Sequence, residues 1–302
     1  MPHASLDIGS NSILLLVVDD QGRVLHDTAT VVGLGRGLGD RGLLRADRLE
    51  YALEVLGGYV GIAQGLGVQP ASIHAVATSA LRRALNSETF LARVRELHGV
   101  TVEIISGDRE AELTAHGALS GLRLPPGPCL VVDAGGGSTE LILAKPDSQL
   151  AGRLAFLYRH SFELGHVRIW ERFFAAGPPR PQDVARARTF IADELIAHWP
   201  EHQPRSVVAA AGTPVSLAAA DQGQVRMDAN AVHGHVLELF TLRRWIDRLL
   251  HTEPAQRRAL LPASPERAET MLGGVLILEQ VLVLTQRTNL LVSNRGMRFA
   301  IL

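Results

Sequence analysis

The stretch Val131–Ala144, VVDAGGGSTELILA, carries the strongest structural signal in this chain. An apolar strand ends in Asp133; three glycines, Ser138, Thr139 and Glu140 follow, and a second apolar strand begins. Glycines lack a Cβ, so their backbone N–H groups can close round a phosphate in the positive-φ conformations that a concave nest needs. The hydroxyls add donors, and a carboxylate at Asp133 can hold a divalent cation beside phosphates. A Walker or dinucleotide loop would open a helix. Here Leu141, Ile142, Leu143 and Ala144 read as strand, which predicts a hairpin tip. The N-terminal segment LDIGSNSILLLVVDD repeats the plan: strand, Asp7, Gly9-Ser10-Asn11-Ser12, strand. Two such hairpins predict a phosphate clamped between two halves.

At 302 residues the chain is long for one core, and its 46% hydrophobic content is ample for two. The formal net charge of −1 gives no global basic field to draw in a nucleic acid, so any basic groove has to be local. Lys145 is the only lysine; the remaining cations are arginines, whose planar forks suit bidentate phosphate contacts, although a coding bias towards arginine explains the composition as well. The single cysteine, Cys129, excludes an internal disulfide framework and fits a reducing cytosol. Asp7 interrupts the first apolar stretch with no basic region before it, so neither a signal peptide nor a membrane segment is expected, and the location read is cytoplasmic.

The first half reads β-hairpin, helix, strand, helix, strand, helix. Asp47 and Glu50 suggest a capping box for a helix reaching Leu66, and Asp108 suggests a cap for a helix carrying Ala111, Ala115, Ala118 and Leu122. Pro125-Pro126-Gly127-Pro128 marks the expected boundary, giving domains 1–124 and 125–302. Beyond it the pattern restarts, and ATSALRRA echoes AAGTPVSLAA, as a weak internal duplication would. The fold class expected is α/β, two similar lobes with a cleft at the carboxyl ends of their strands. His233 and His235 read as structural, and Arg243, Arg244 and Arg248 as the wet face of a helix. The late segment MLGGVLILEQVLVLT is apolar round more of its circumference than a half-exposed helix needs. A second subunit is one way to cover it, hence an expected homodimer through the second lobe.

These motifs together resemble the exopolyphosphatase / guanosine pentaphosphate phosphohydrolase (Ppx/GppA) family. The matching segments are DIGSNS at 7–12, LGRGL at 34–38, ATSALRRALN at 77–86, ISGDREAEL at 105–113 and VDAGGGSTEL at 132–141. They continue with LGHVRIWERF at 164–173, AAGTPVSLAA at 210–219, RAETMLGGVLIL at 267–278 and VSNRGMR at 292–298. The resemblance spans essentially the whole chain and implies ribonuclease-H-like lobes of the actin, Hsp70 and sugar-kinase superfamily, in the short two-lobe form. Departures occur at Gly33, where members often carry arginine, at Arg36 and Asn294, where they carry an acid, at Glu269, which stands for an aspartate, and at Arg295, which stands for an aromatic.

What the resemblance implies is a metal-dependent exopolyphosphatase, with Glu110 activating water against the terminal phosphate of inorganic polyphosphate. Glu140 would orient the nucleophile, and Asp133, Asp7 and Glu140 would hold Mg²⁺ or Mn²⁺. Gly9, Ser10, Asn11, Arg82, Gly135, Gly136, Gly137, Ser138 and Thr139 would contact phosphate oxygens. Read without the family, Glu110 is first an acid favouring a helix dipole and only second a base, whereas Asp7 and Asp133 end buried strands, where an acid is disfavoured unless used. Rival readings are hydrolysis of guanosine pentaphosphate, a non-catalytic polyphosphate or alarmone sensor, and a sugar kinase, for which no adenosine-pocket signature is found.

Overall fold

Central strands of a sheet covered on both faces read as nearly unbroken apolar runs. Two segments do so here, LDI before Asp7's hairpin and CLVVDA before the glycines, and each becomes the middle of its own sheet. The computed structural model describes residues 1–38, 42–146 and 153–302. In the first part of the chain, β1 (His3–Ile8), β2 (Ser12–Val18) and β3 (Val24–Val31) are followed by α1 (Ala46–Gly65), β4 (Ile73–Ala77) and α2 (Ser79–Arg83). Then come α3 (Ser87–His98), β5 (Val102–Ile104) and α4 (Gly107–Leu119). The later part runs β6 (Cys129–Ala134), β7 (Thr139–Pro146), β8 (Leu154–Phe162), α5 (His166–Phe173) and α6 (Pro181–Ile196). It continues with β9 (Ser206–Ala210), α7 (Gly212–Asp221), α8 (Ala229–Val232), β10 (Val236–Glu238) and α9 (Leu239–His251). It ends with α10 (Arg257–Leu260), α11 (Met271–Thr285), β11 (Asn289–Val292) and α12 (Arg298–Ile301).

The sheet orders are β3-β2-β1-β4-β5 and β10-β11-β9-β6-β7-β8. β1 pairs antiparallel with β2 and parallel with β4, just as β6 pairs with β7 and with β9. Read from the hairpin side, the second sheet repeats the first and adds β10 at its edge. Both are ribonuclease-H-like α/β units, as the resemblance implied.

The chain divides into two compact units, 1–117 with 297–302, and 118–296. This differs from the 1–124 and 125–302 read from the Pro-rich turn, chiefly because the last helix goes back to the first unit. The Ser5 hydroxyl donates to the Arg298 carbonyl at 2.8 Å, and the Arg298 guanidinium grips Asp27 with two bonds of 2.8 and 2.9 Å.

Three local readings are corrected. Arg45 precedes α1 as its N-cap, and Asp47 lies in the first turn, bonded to Arg45 at 2.9 Å, so no capping box forms. The Ser106 hydroxyl, not Asp108, receives a first-turn N–H of α4, from Arg109 at 3.2 Å. Arg243 is not simply a wet-face residue: with Arg188 it holds Glu279, a buried acid inside α11, at 3.2 and 2.7 Å. α11 itself is packed by α5, α6, α7, α9 and β6 of its own unit, so the apolar face that suggested a second subunit is already covered. No helix among the described residues is long and apolar enough to cross a membrane.

Candidate active site

Each unit ends its central strand in an acid and then turns through a four-residue tip. The Gly9 N–H donates to the Ser12 carbonyl at 3.0 Å, and the Gly135 N–H to the Ser138 carbonyl at 2.9 Å. The tips share a second property. Their carbonyls are held from behind: Ser10 O by the Gly35 N–H (2.7 Å), and Asn11 O by the Val32 and Gly33 N–H groups (2.9 and 2.8 Å). In the second tip Gly135 O and Gly136 O accept from the His166 and Val167 N–H groups that open α5, each at 3.0 Å. The N–H groups of Ser10, Asn11, Gly136 and Gly137 have no hydrogen-bond partner among the described residues. A tip with most of its oxygens occupied and two N–H groups open presents a positive potential suited to an anion.

The reason for the glycines is not the one read from the sequence. None of Gly9, Gly135, Gly136 or Gly137 has positive φ. Close approach demands small residues instead. A Cβ on Gly9 would lie 3.1 Å from Ser12 O, one on Gly135 3.2 Å from Ser138 O, and one on Gly165 only 2.2 Å from Gly136 O. Thr139 is also corrected: its hydroxyl is wholly buried and donates to the Leu164 carbonyl, so it braces the loop rather than facing a phosphate.

In the first unit the structure brings together Asp7, Thr78, Arg82 and Glu110. Arg82 Nη1 donates to Glu110 Oε2 at 3.1 Å and to Ile105 O at 2.8 Å, and Thr78 adds a side-chain bond to Glu110. Burial raises the Glu110 pKa above the usual carboxylate value, and the bonds from Arg82 and Thr78 oppose that rise. The Asp7 carboxyl is pushed up to about 7 by desolvation, with Arg298 lowering it and Glu110 raising it further. An acid raised towards neutrality is a better proton acceptor than a free carboxylate. The Arg36 side chain folds back over Gly33, whose φ is +65°; a Cβ there would lie 2.8 Å from Arg36 Cδ and Nε.

In the second unit Asp133 and Glu140 stand directly opposite on β6 and β7, so both carboxylates leave the same face. Ser161, which the sequence did not single out, donates to Glu140 Oε1 at 2.7 Å. Among the described residues no group of three or more His, Cys, Asp or Glu side chains could hold a metal ion alone. Mg²⁺ commonly takes one or two carboxylates and completes its octahedron with substrate phosphates and water, so the Asp133–Glu140 pair fits such an ion. After β9, Ala211 adopts φ 74° and ψ −179°, rare for a residue with a side chain, and Arg267 lies over Gly212. Arg267 was missed because its neighbours in RAETMLGG drew attention to Glu269. Neither His233 nor His235 joins a site: His235 bonds Gln222 at 3.0 Å and Asp221 at 3.3 Å, and His233 faces Ser293.

Exopolyphosphatase 2 of Mycobacterium tuberculosis is 32% identical over 294 residues, covering 92% of this chain and 89% of its own. The crystal structure of the Aquifex aeolicus member of the Ppx/GppA family superposes with a TM-score of 0.82 at 30% identity, covering 100% of this chain and 96% of that one. An exopolyphosphatase from Cytophaga hutchinsonii gives 0.85 at 25% identity, covering 99% and 96%. The family model for Ppx/GppA phosphatases matches residues 16–302, and this chain belongs to the Ppx/GppA phosphatase family.

Proposed function

We propose that this protein is an exopolyphosphatase, a hydrolase of phosphoanhydride bonds that removes terminal phosphates from inorganic polyphosphate. The observation that carries the reading is the shared polarity of the two tips, each with two carbonyls held from behind and two N–H groups open. Phosphoryl transfer asks mainly for positioning and charge stabilisation, and preorganised N–H groups supply both.

Glu110 accepts the proton of the attacking water. Oxygen of that water bonds the terminal phosphorus in line while the anhydride P–O bond breaks, releasing orthophosphate and a chain one unit shorter. Arg82 keeps the Glu110 carboxylate in place and leaves part of its own guanidinium exposed for a phosphate oxygen. Ser10 and Asn11, with Gly136 and Gly137, cradle phosphates through their open backbone N–H groups, while Gly9, Gly135 and Ser138 close the turns that hold them in place. Asp133 and Glu140 would hold Mg²⁺ or Mn²⁺, and Asp7 offers its carboxylate in the first unit; the ion, when bound, neutralises charge on the anhydride oxygens.

Phosphate release from polyphosphate, guanosine pentaphosphate and ATP, measured side by side with Mg²⁺, tests the proposal. The expected result is fastest release from polyphosphate, abolished by excess EDTA. Release from guanosine pentaphosphate alone would overturn the substrate, and full activity in EDTA would overturn the metal.

A further inference from the structure

Like charge weakens a polyanion site, yet an acid stands beside the second tip. A Cβ built on Gly137 would lie 3.9 Å from Arg168 Nε, so this guanidinium is within contact range of the tip. Its Nη2 is taken by Glu163 Oε2 at 2.5 Å. Glu163 follows the end of β8, and Arg168 lies in the first turn of α5. The Glu163 side chain is 69% exposed and that of Arg168 45%, and an ion pair so open to water is held weakly. The carboxylate can turn into solvent without leaving a cavity behind.

Arg168 also begins a groove. A space of about 380 Å³ opens along α5 towards α6, and Glu163, Arg168, Glu171, Arg172 and Phe190 help to line it. Arg172 comes one helical turn after Arg168, hence on the same face of α5, and its guanidinium lies 3.9 Å from the centre of the Phe190 ring. Two arginines meet two acids there, so the groove draws a polyanion only weakly until the Glu163 carboxylate turns away. We propose that Glu163 is a specificity-determining residue: by occupying Arg168, it holds down affinity for polyphosphate chains long enough to reach from the second tip into the groove. Tripolyphosphate, with few units to place beyond the tip, meets the pair least. The inference rests on the exopolyphosphatase reading for the identity of the polyanion.

The test is the ratio of kcat/KM for long-chain polyphosphate to that for tripolyphosphate, with long-chain binding measured by calorimetry in metal-free buffer. Glu163→Gln should raise the ratio about 3- to 5-fold, a gain that a merely structural ion pair would not give. Arg168→Gln should lower it about 10-fold. In the double variant the gain from Glu163→Gln should vanish, because the cation it frees is gone. Both side chains are exposed, so the variants should fold. An unchanged ratio in Glu163→Gln, or a gain of the same size without Arg168, would overturn the proposal while polyphosphate hydrolysis by the wild type kept the function. Protein that hydrolyses no polyphosphate, yet binds long chains more tightly as Glu163→Gln, would keep the ion-pair device and overturn the function.

Discussion

In the first unit the hairpin tip is backed by a loop, Val32 to Gly35; in the second it is backed by the opening turn of a helix, His166 and Val167. The N–H groups at a helix start lack acceptors within the helix, so α5 and the glycine tip satisfy one another. The loop support leaves more room, since a Cβ on Gly35 would meet Ser10 Cβ at 3.3 Å, whereas one on Gly165 meets the Gly136 carbonyl at 2.2 Å. The acids differ as well. Asp7 is desolvated next to Glu110, while Asp133 shares a strand face with Glu140. One anion-facing polarity is thus built twice, once with slack and a proton acceptor, once rigidly and with paired carboxylates.

The largest effect should come from the proton acceptor. Glu110→Gln is isosteric and should leave the thermal transition in place, yet lower kcat by ~10²–10⁴-fold. Phosphate release close to wild type would break the division of labour between the units. Gly165→Ala should come next. Its new methyl meets backbone, so we expect about 1–3 kcal/mol of destabilisation in denaturant unfolding and up to ~10²-fold loss of activity. Gly35→Ala should cost clearly less, and equal losses would show that the two supports are equally tight. Asp133→Asn should raise the Mg²⁺ concentration for half-activation by about tenfold; an unchanged titration would clear that residue of metal binding.

Two smaller effects have opposite signs. Asp7 holds its proton up to about pH 7 in the folded chain but only to about 4 when unfolded. Folded protein therefore binds the extra proton between those values, and stability falls as pH rises through that window. In metal-free buffer Asp7→Asn should raise the melting temperature above pH 7 and leave it unchanged near pH 4. His160 is the reverse case. Burial, then the stacked His198 with centroids 4.3 Å apart, holds its pKa below the usual imidazole value. Its neutral form is the folded one, so its contribution is complete above about pH 6.5 and shrinks as pH falls below that. Hydrogen exchange along β8 should quicken slightly at pH 5.5, and His160→Phe should remove that response. A response that survives the substitution would point to another group.

Both hairpins and the repeated strand order were legible because an acid closing an apolar strand is disfavoured unless used, and the chain does this twice. The role of the glycines was not. It depends on Gly165 and α5, far downstream, and clearance leaves no local signature of the kind positive φ has. Thr139 was misread because hydroxyls beside glycines look like donors, while strand alternation turns this one into the core. For α11, an apolar circumference says that the helix is covered but not by what; α5, α6 and α9 of the same unit do it. Arg267 was hidden for a different reason: a guanidinium laid over a distant turn is visible only once the fold is known.

The return of α12 to the first unit sets an order of events during synthesis. Arg298 lies 271 residues beyond Asp27, its partner, and also supplies the carbonyl that the Ser5 hydroxyl needs. At a ribosome's pace of about 5–20 residues per second, Asp27 and Ser5 wait on the order of tens of seconds for it. All of residues 118–296 emerge during that delay. The first unit is thus begun before the second and completed after it, and Ser5 on β1 lacks its acceptor until α12 arrives.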